Sequence, residues 1–219
     1  MRRRGQTEQL NGSSFARTLE AMRLRWLVLA VGLSSFFFTT FSARPAEATV
    51  ARAMAMRELV TEADVIARVT VLSHRARLDS LDRIVTDVTL RIDEPLYGAT
   101  GAGPVRAGDE IVVTRLGGVL DGVGLRVEGE PGFVRGSEQL VFLSERAGLL
   151  RPTGMSQGVF PIVRDAAGHE LAMPNGAGLA LVAPGGPALT PASPALVSPR
   201  AVDVLLDEVR ALIGEVHGG

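Results

Sequence analysis

Three stretches of this chain hold residues that could do chemistry. The sharpest is Gly154-Met155-Ser156-Gln157-Gly158. It matches G-x-S-x-G, in which a serine stands on a tight strand-to-helix turn so that its hydroxyl can attack a carbonyl. That serine needs a histidine base and an acid to orient the base. Asp165 and His169 follow in acid-then-base order, four residues apart. The context argues against the motif. Val159-Phe160-Pro161-Ile162-Val163 is β-like and broken by Pro161, so no helix follows the serine. The alternating strand–helix pattern of a hydrolase is also missing. The plainer expectation is a Gly-flanked hairpin turn in which Ser156 bonds nearby backbone. A small serine hydrolase using Ser156 and His169 is the first rival to a non-catalytic protein.

The second stretch runs from Leu116 to Gly136 and holds seven glycines from Gly117 onward. A dinucleotide loop would need G-x-G-x-x-G opening a helix after a strand. The spacing after Gly124 is wrong and no helical period follows, so no phosphate cofactor is expected. Glycines of this density permit tight turns and positive φ, which suits a long excursion between two strands. Such loops on small barrels often form binding surfaces. Asp121, Gly122, Gly124 and Arg126 are the candidate rim for a partner, with Arg126 the only cation of the excursion. Paired with Asp121 or Glu128, Arg126 is a surface ion pair; facing outward, it can fork onto a partner carboxylate. Phe133, after Pro131-Gly132, is expected to anchor the excursion in the core.

The third stretch is His74 with Asp79 and Asp82. It lacks the Gly-punctuated calcium pattern, and His74, His169 and His217 are isolated from further ligands at helical spacing. No metal site is expected. The chain has neither Cys nor Lys, so a thiol nucleophile, a disulfide frame, a Schiff-base lysine and a P-loop lysine are all excluded.

The elements that would position these residues follow from periodicity. Met56, Leu59, Val60 and Ala63 share one face of a helix over Met54–Ala63. Val65–Leu72 is a β-branched run, and Ile84–Ile92 alternates with Thr86, Val88, Leu90 and Ile92 on one face. Residues 74–83 read as a charged connection. Gly108-Asp109-Glu110 introduces a strand over Ile111–Leu116, and Gly136-Ser137-Glu138 introduces another over Leu140–Leu143. Leu149–Thr153 and Val159–Arg164 read as a closing hairpin. Strands this closely spaced, without interleaved helices, predict a mainly β domain over residues 49–173, an antiparallel OB-like barrel or small sandwich. Residues 174–197 are rich in Pro, Gly and Ala and read as a linker. From Ser198 to Gly219 lies an amphipathic helix, with Ser198 as cap, Pro199 first, Gly214 at its end and a stripe of Val202, Leu205, Leu206, Val209, Leu212 and Ile213.

Residues 1–48 have the layout of a secretory signal peptide. Met22-Arg23-Leu24-Arg25 is a basic entry, Trp26–Phe41 a short apolar core, and Ala46-Glu47-Ala48 an A-x-A site that would leave Thr49 first. Met22 could be the true start. An uncleaved anchor is the alternative, but the apolar run is short of the roughly 20 residues of a spanning helix. Without this leader the chain carries 16 Arg against 21 Asp plus Glu, with no basic stripe for nucleic acid. The expected location is periplasmic or extracellular, with no membrane contact after cleavage.

The order Ala63-Asp64-Val65, Ile84-Val85-Thr86-Asp87-Val88, Gly117-Gly118, Gly122-Val123-Gly124, Val141-Phe142-Leu143 and Gly154-Met155-Ser156-Gln157-Gly158 resembles a group of uncharacterised exported bacterial β-barrel proteins. The opening helix and strands are also similar to the netrin-like, OB-barrel modules of metalloproteinase inhibitors. That second resemblance implies a fold and, as an alternative function, protease inhibition. It carries over no site residue, because those modules reach the target metal through an N-terminal cysteine and this chain has none. The expectation is an exported binding or accessory module of the bacterial envelope or medium, without cofactor, acting on an unknown protein or envelope partner.

Overall fold

The computed structural model describes residues 49–175, 179–183 and 198–218. The chain divides into two units, residues 1–47 and 48–219, and all described residues fall in the second. Residues 1–48, read from the sequence as a signal peptide, lie outside the described residues. Among these, no helix is long and apolar enough to cross a membrane.

The fold is mainly β with a mixed sheet. In chain order it runs β1 (Thr49–Arg52), α1 (Met56–Glu62), β2 (Val65–Leu78), β3 (Ile84–Thr100), β4 (Gly103–Pro104), β5 (Glu110–Leu116), β6 (Gly118–Leu120), β7 (Val123–Leu125), β8 (Glu138–Arg146), β9 (Leu149–Pro152), β10 (Val159–Arg164), β11 (Glu170–Ala172), β12 (Leu179–Val182), β13 (Arg200–Ala201) and α2 (Val202–His217). The main sheet follows the order β13-β11-β10-β8-β2-β3-β5-β9, and β9 also pairs with β8. Most neighbours are antiparallel, but β5 meets β9 in parallel through Val113 and Leu150, and β1 runs parallel to β12. The all-antiparallel expectation therefore needs correcting. Parallel partners are distant in sequence, so no local turn signal announces them.

Strands β2 and β3 form one long hairpin, longer than periodicity suggested. Half of the stretch read as a connection, residues 74–83, is strand, and Asp79–Arg83 turns. Three register shifts bend β2 between Ile66 and Ser73. Such bulges let one strand serve two differently curved surfaces. Two cores result. The inner one gathers Val65, Val69, Val88, Val113, Val141 and Val159, with Phe133 buried among them as expected. The outer one lies on the opposite face of β2 and β8, where Ile66, Leu140 and Phe142 meet Leu59 and Val60 of α1 and Leu205 and Val209 of α2. This explains the unbroken apolar run Leu140–Leu143: a strand covered on both faces has no polar side.

Other boundaries differ from the sequence reading for reasons of packing. Strand β12 lies inside the stretch read as a linker, held by β1 and by Ala53 N–H donating to Val182 O at 2.8 Å. The C-terminal helix starts at Val202, not Pro199, because Arg200 and Ala201 pair with β11. It also runs through Gly214 to His217, whose ring stacks on Tyr97 and lies 3.2 Å from the Val60 carbonyl. Strands β9 and β10 do not pair with each other. Both lie antiparallel along one edge of β8, β9 on Leu143–Arg146 and β10 on Glu138–Val141. They flank the same side of β8 as two segments separated by a 3-10 turn at Met155–Gly158, and each has a second neighbour, β5 for β9 and β11 for β10.

Candidate functional site

The Gly-rich excursion is ordered at both ends. Gly117 N–H donates to Ile84 O at 2.8 Å, and the buried Thr86 hydroxyl donates to Gly117 O at 2.6 Å. On the return side, Ser156 N–H donates to Gly129 O and Gly136 N–H to Val71 O, each at 2.8 Å. Between these ties stands a small hairpin, β6 on β7, with Val119 opposite Gly124 and Leu120 opposite Val123. Its two-residue loop is Asp121-Gly122, with φ of 49° and 80°. Positive φ at both loop residues is the type I′ geometry whose twist matches the flanking strands, and Asp-Gly is its preferred pair. Gly118 is a second required glycine: a Cβ there would lie 2.3 Å from Thr86 Oγ1. The hairpin base thus sits directly on β3.

Of the four candidate rim residues, Asp121 and Gly122 make the turn, and Gly124 sits in β7 facing the same way as Val119. Arg126 is 82% exposed and its Nε donates to Glu128 at 2.8 Å. What the residue-by-residue reading missed is the apolar character of the hairpin. Val119 is 69% and Val123 63% exposed, and Leu125 is exposed as well. The Asp-Gly dipeptide between apolar residues was the available signal.

Between the hairpin and the return segment lies an open groove of about 540 Å³, lined by Arg115, Val119, Leu125, Arg126, Glu130 and Pro131 among others. Burial pushes the Glu130 carboxyl above its ordinary range, against the Leu116 N–H bond and the nearby charges of Arg115 and Arg151. The Arg115 Nε is buried without a hydrogen-bond partner, while its Nη1 reaches Leu116 O at 3.3 Å. The groove therefore joins apolar walls to two guanidiniums and one desolvated carboxyl. It has hydrogen-bonding and packing capacity, and none of its lining residues is a Ser, Thr or His.

The G-x-S-x-G segment has a different geometry from a nucleophile elbow. Ser156 is fully buried, and its hydroxyl has no hydrogen-bond partner. His169 is 76% exposed in the turn after β10, where its ring lies 3.2 Å from Asp165. Ser156 precedes the six residues of β10 and His169 follows them, a span of roughly 20 Å at about 3.3 Å per residue. The structure does not bring them together. The segment works as a clasp instead. Gln157 accepts from Met54 N–H at 2.9 Å and donates to Arg52 O at 3.1 Å, while Ser156 N–H holds Gly129. In place of the expected hairpin turn, a 3-10 turn between β9 and β10 ties the N-terminal segment and the excursion together.

His74 is exposed on β2, and Asp79 holds the β2–β3 turn. Among the described residues no group of three or more His, Asp and Glu is placed to hold a metal ion. No protein-family model matches the chain, and no curated protein or solved structure matches it either.

Proposed function

We propose that this chain is an exported, non-catalytic binding module, and that a protein partner docks on the β6–β7 hairpin and its groove. The observation that carries the proposal is the exposure of Val119 and Val123 on a hairpin fixed by type I′ geometry and by bonds at both ends. Apolar side chains held rigidly in solvent are poor for solubility and good for recognition. Arg126 beside them offers a charge-assisted fork, so the fitting partner presents apolar side chains with a carboxylate nearby. The fully buried Ser156, remote from His169, supports a non-catalytic role over a hydrolase.

An OB-like barrel is the supporting architecture. Strands β2, β3, β5, β9 and β8 pair in sequence, and β8 pairs back onto β2. Numbered by appearance, that is the ring 1-2-3-5-4-1. The excursion then lies between strands three and four of the ring. Export rests on the basic, apolar and A-x-A order of residues 22–48. Intact mass of protein made in a native-like host should give Thr49 as the first residue, and a retained species carrying Trp26–Phe41 would contradict export.

Docking is tested by placing a photoreactive benzoylphenylalanine at Val119, at Val123 or, as a control, at exposed Val163 on β10. Irradiation in an envelope fraction should give one discrete adduct from the hairpin positions. It should be absent from Val163 and lost when residues 120–125 are replaced by a Gly-Ser loop. Equal adducts from all three positions would sink the assignment. So would an Arg126→Ala variant whose yield is unchanged at every salt concentration, as regards the carboxylate.

A further inference from the structure

A separate cavity of about 500 Å³ lies in the outer core and shares no lining residue with the hairpin groove. Its walls include Met54, Met56 and Leu59 from the α1 region, Phe160 and Ala172 from the sheet, and Leu212 from α2. The volume falls within the roughly 300–1,000 Å³ of small-molecule sites. Gln157 also lines it, but both of its amide atoms are engaged by backbone. The apolar part of the walls offers thioether, aromatic and aliphatic carbon. Atoms that line such a gap lack packing partners on one side, and an apolar guest restores them. Methionines adapt their shape to a guest more readily than branched side chains.

Asn175 and Ser198 add two neutral polar groups to the lining, and its charged residues are not neutral in balance. Two guanidiniums, Arg57 and Arg200, stand with one carboxylate, Glu208. Arg57 bonds Glu215 and Arg200 bonds Glu208, each through Nη2. A guanidinium carries five N–H donors, so both retain donors for a second anion. We propose that this cavity binds a single-chain amphiphile, its acyl chain among Met54, Met56, Phe160 and Leu212 and its acidic headgroup on Arg57 and Arg200. The site is independent of the hairpin surface and stands or falls apart from it.

The probe is 11-(dansylamino)undecanoic acid, whose emission rises on leaving water, titrated into the delipidated protein. A saturable rise, reversed by hexadecanoic acid, is expected, together with a higher melting temperature in hexadecanoic acid. Displacement by hexadecanoic acid but not by a lysophosphatidic acid assigns a carboxylate head, and the reverse assigns a phosphate monoester. Leu212→Trp fills the cavity and should weaken binding at least tenfold. Met54→Trp provides the same test should the first variant fail to fold. Arg200→Gln should weaken the acid at least fivefold and leave 1-hexadecanol within twofold. The proposal is overturned by the absence of a saturable signal in the unaltered protein, or by undiminished binding in a folded cavity-filling variant. Equal weakening of acid and alcohol by Arg200→Gln overturns the headgroup assignment. Binding that appears only after residues 184–197 are replaced by a Gly-Ser chain also overturns the proposal, because the chain then covers its own cavity.

Discussion

At the scale of single residues, charge is organised in small, separable units. Asp79 closes the β2–β3 turn: Oδ1 accepts from Leu81 N–H at 2.9 Å and Arg83 N–H at 3.0 Å, and Oδ2 accepts from the Arg83 guanidinium. Those bonds, the Arg83 side chain's first, hold the carboxyl down to about 2. An unfolded aspartate titrates near about 3.9. The folded state thus favours the charged form, so the turn's contribution is complete above about pH 4 and is lost as pH falls through about 2. Carbon-detected NMR titration should place the Asp79 midpoint near about 2, and Arg83→Ala should move it up toward the ordinary range. Glu130 has the opposite sign, because burial raises its pKa. At pH 7 the fold bears the cost of a desolvated charge there, and on acidification the protonated group no longer does. Glu130→Gln should therefore raise the melting temperature at pH 7 and lose that advantage as the pH is lowered toward 4. A destabilised variant at neutral pH would show that the charge is needed by Arg115 and Arg151.

At the scale of elements, the informative case is the turn that separates β9 from β10 along β8. The Ser156 hydroxyl is buried and unpaired, a situation that typically costs about 1–3 kcal/mol relative to an apolar group of the same shape. Ser156→Ala should leave stability unchanged or raise it by about 1 kcal/mol in chemical denaturation. The unaltered protein should take no label from a fluorophosphonate probe. Stoichiometric labelling that disappears in Ser156→Ala would restore the hydrolase alternative. The ordered part of the clasp is Gln157 and the Ser156 N–H, not the serine hydroxyl. A second element-scale feature is the ion network across four strands. Arg68 on β2 bonds both Glu138 on β8 and Glu170 on β11, and Arg164 on β10 bonds Glu170 at 2.6 Å. The Arg68 bond is the main cause of the lowered Glu170 pKa. The network joins β11 through side chains to β2, a strand with which it makes no backbone pairing.

At the scale of the molecule, the decisive arrangement is two cores back to back on one sheet. Helix α2 places Val202, Leu205, Leu206 and Val209 in the outer core. Each buried side chain of this size contributes roughly 1.5–3 kcal/mol before entropy costs. Their sum is comparable with the about 5–15 kcal/mol by which whole domains are stable. Truncation after Ala183 should therefore lower stability by several kcal/mol and expose the Ile66, Leu140 and Phe142 face. Thermal circular dichroism with a dye for exposed apolar surface would measure it. An unaltered melting curve would mean that the inner core carries the fold alone.

The sequence by itself determined what depends on neighbours along the chain. The period of α1, the alternation of β3, the amphipathic stripe of α2 and the anchoring of Phe133 were all legible there. The Asp121-Gly122 turn was legible too, because backbone sterics at φ above zero select those residues, though Asp121 and Gly122 had been read only as a rim. Tertiary structure decided what depends on partners distant in sequence. The parallel pairings β1 on β12 and β5 on β9 close no local turn and so leave no local mark. The burial of Ser156 is set by Gly129 and by β8, from separate parts of the chain. The exposure of Val119 and Val123 is also a tertiary outcome: their residue type predicts burial, yet the hairpin whose base packs Gly118 against Thr86 leaves both in solvent.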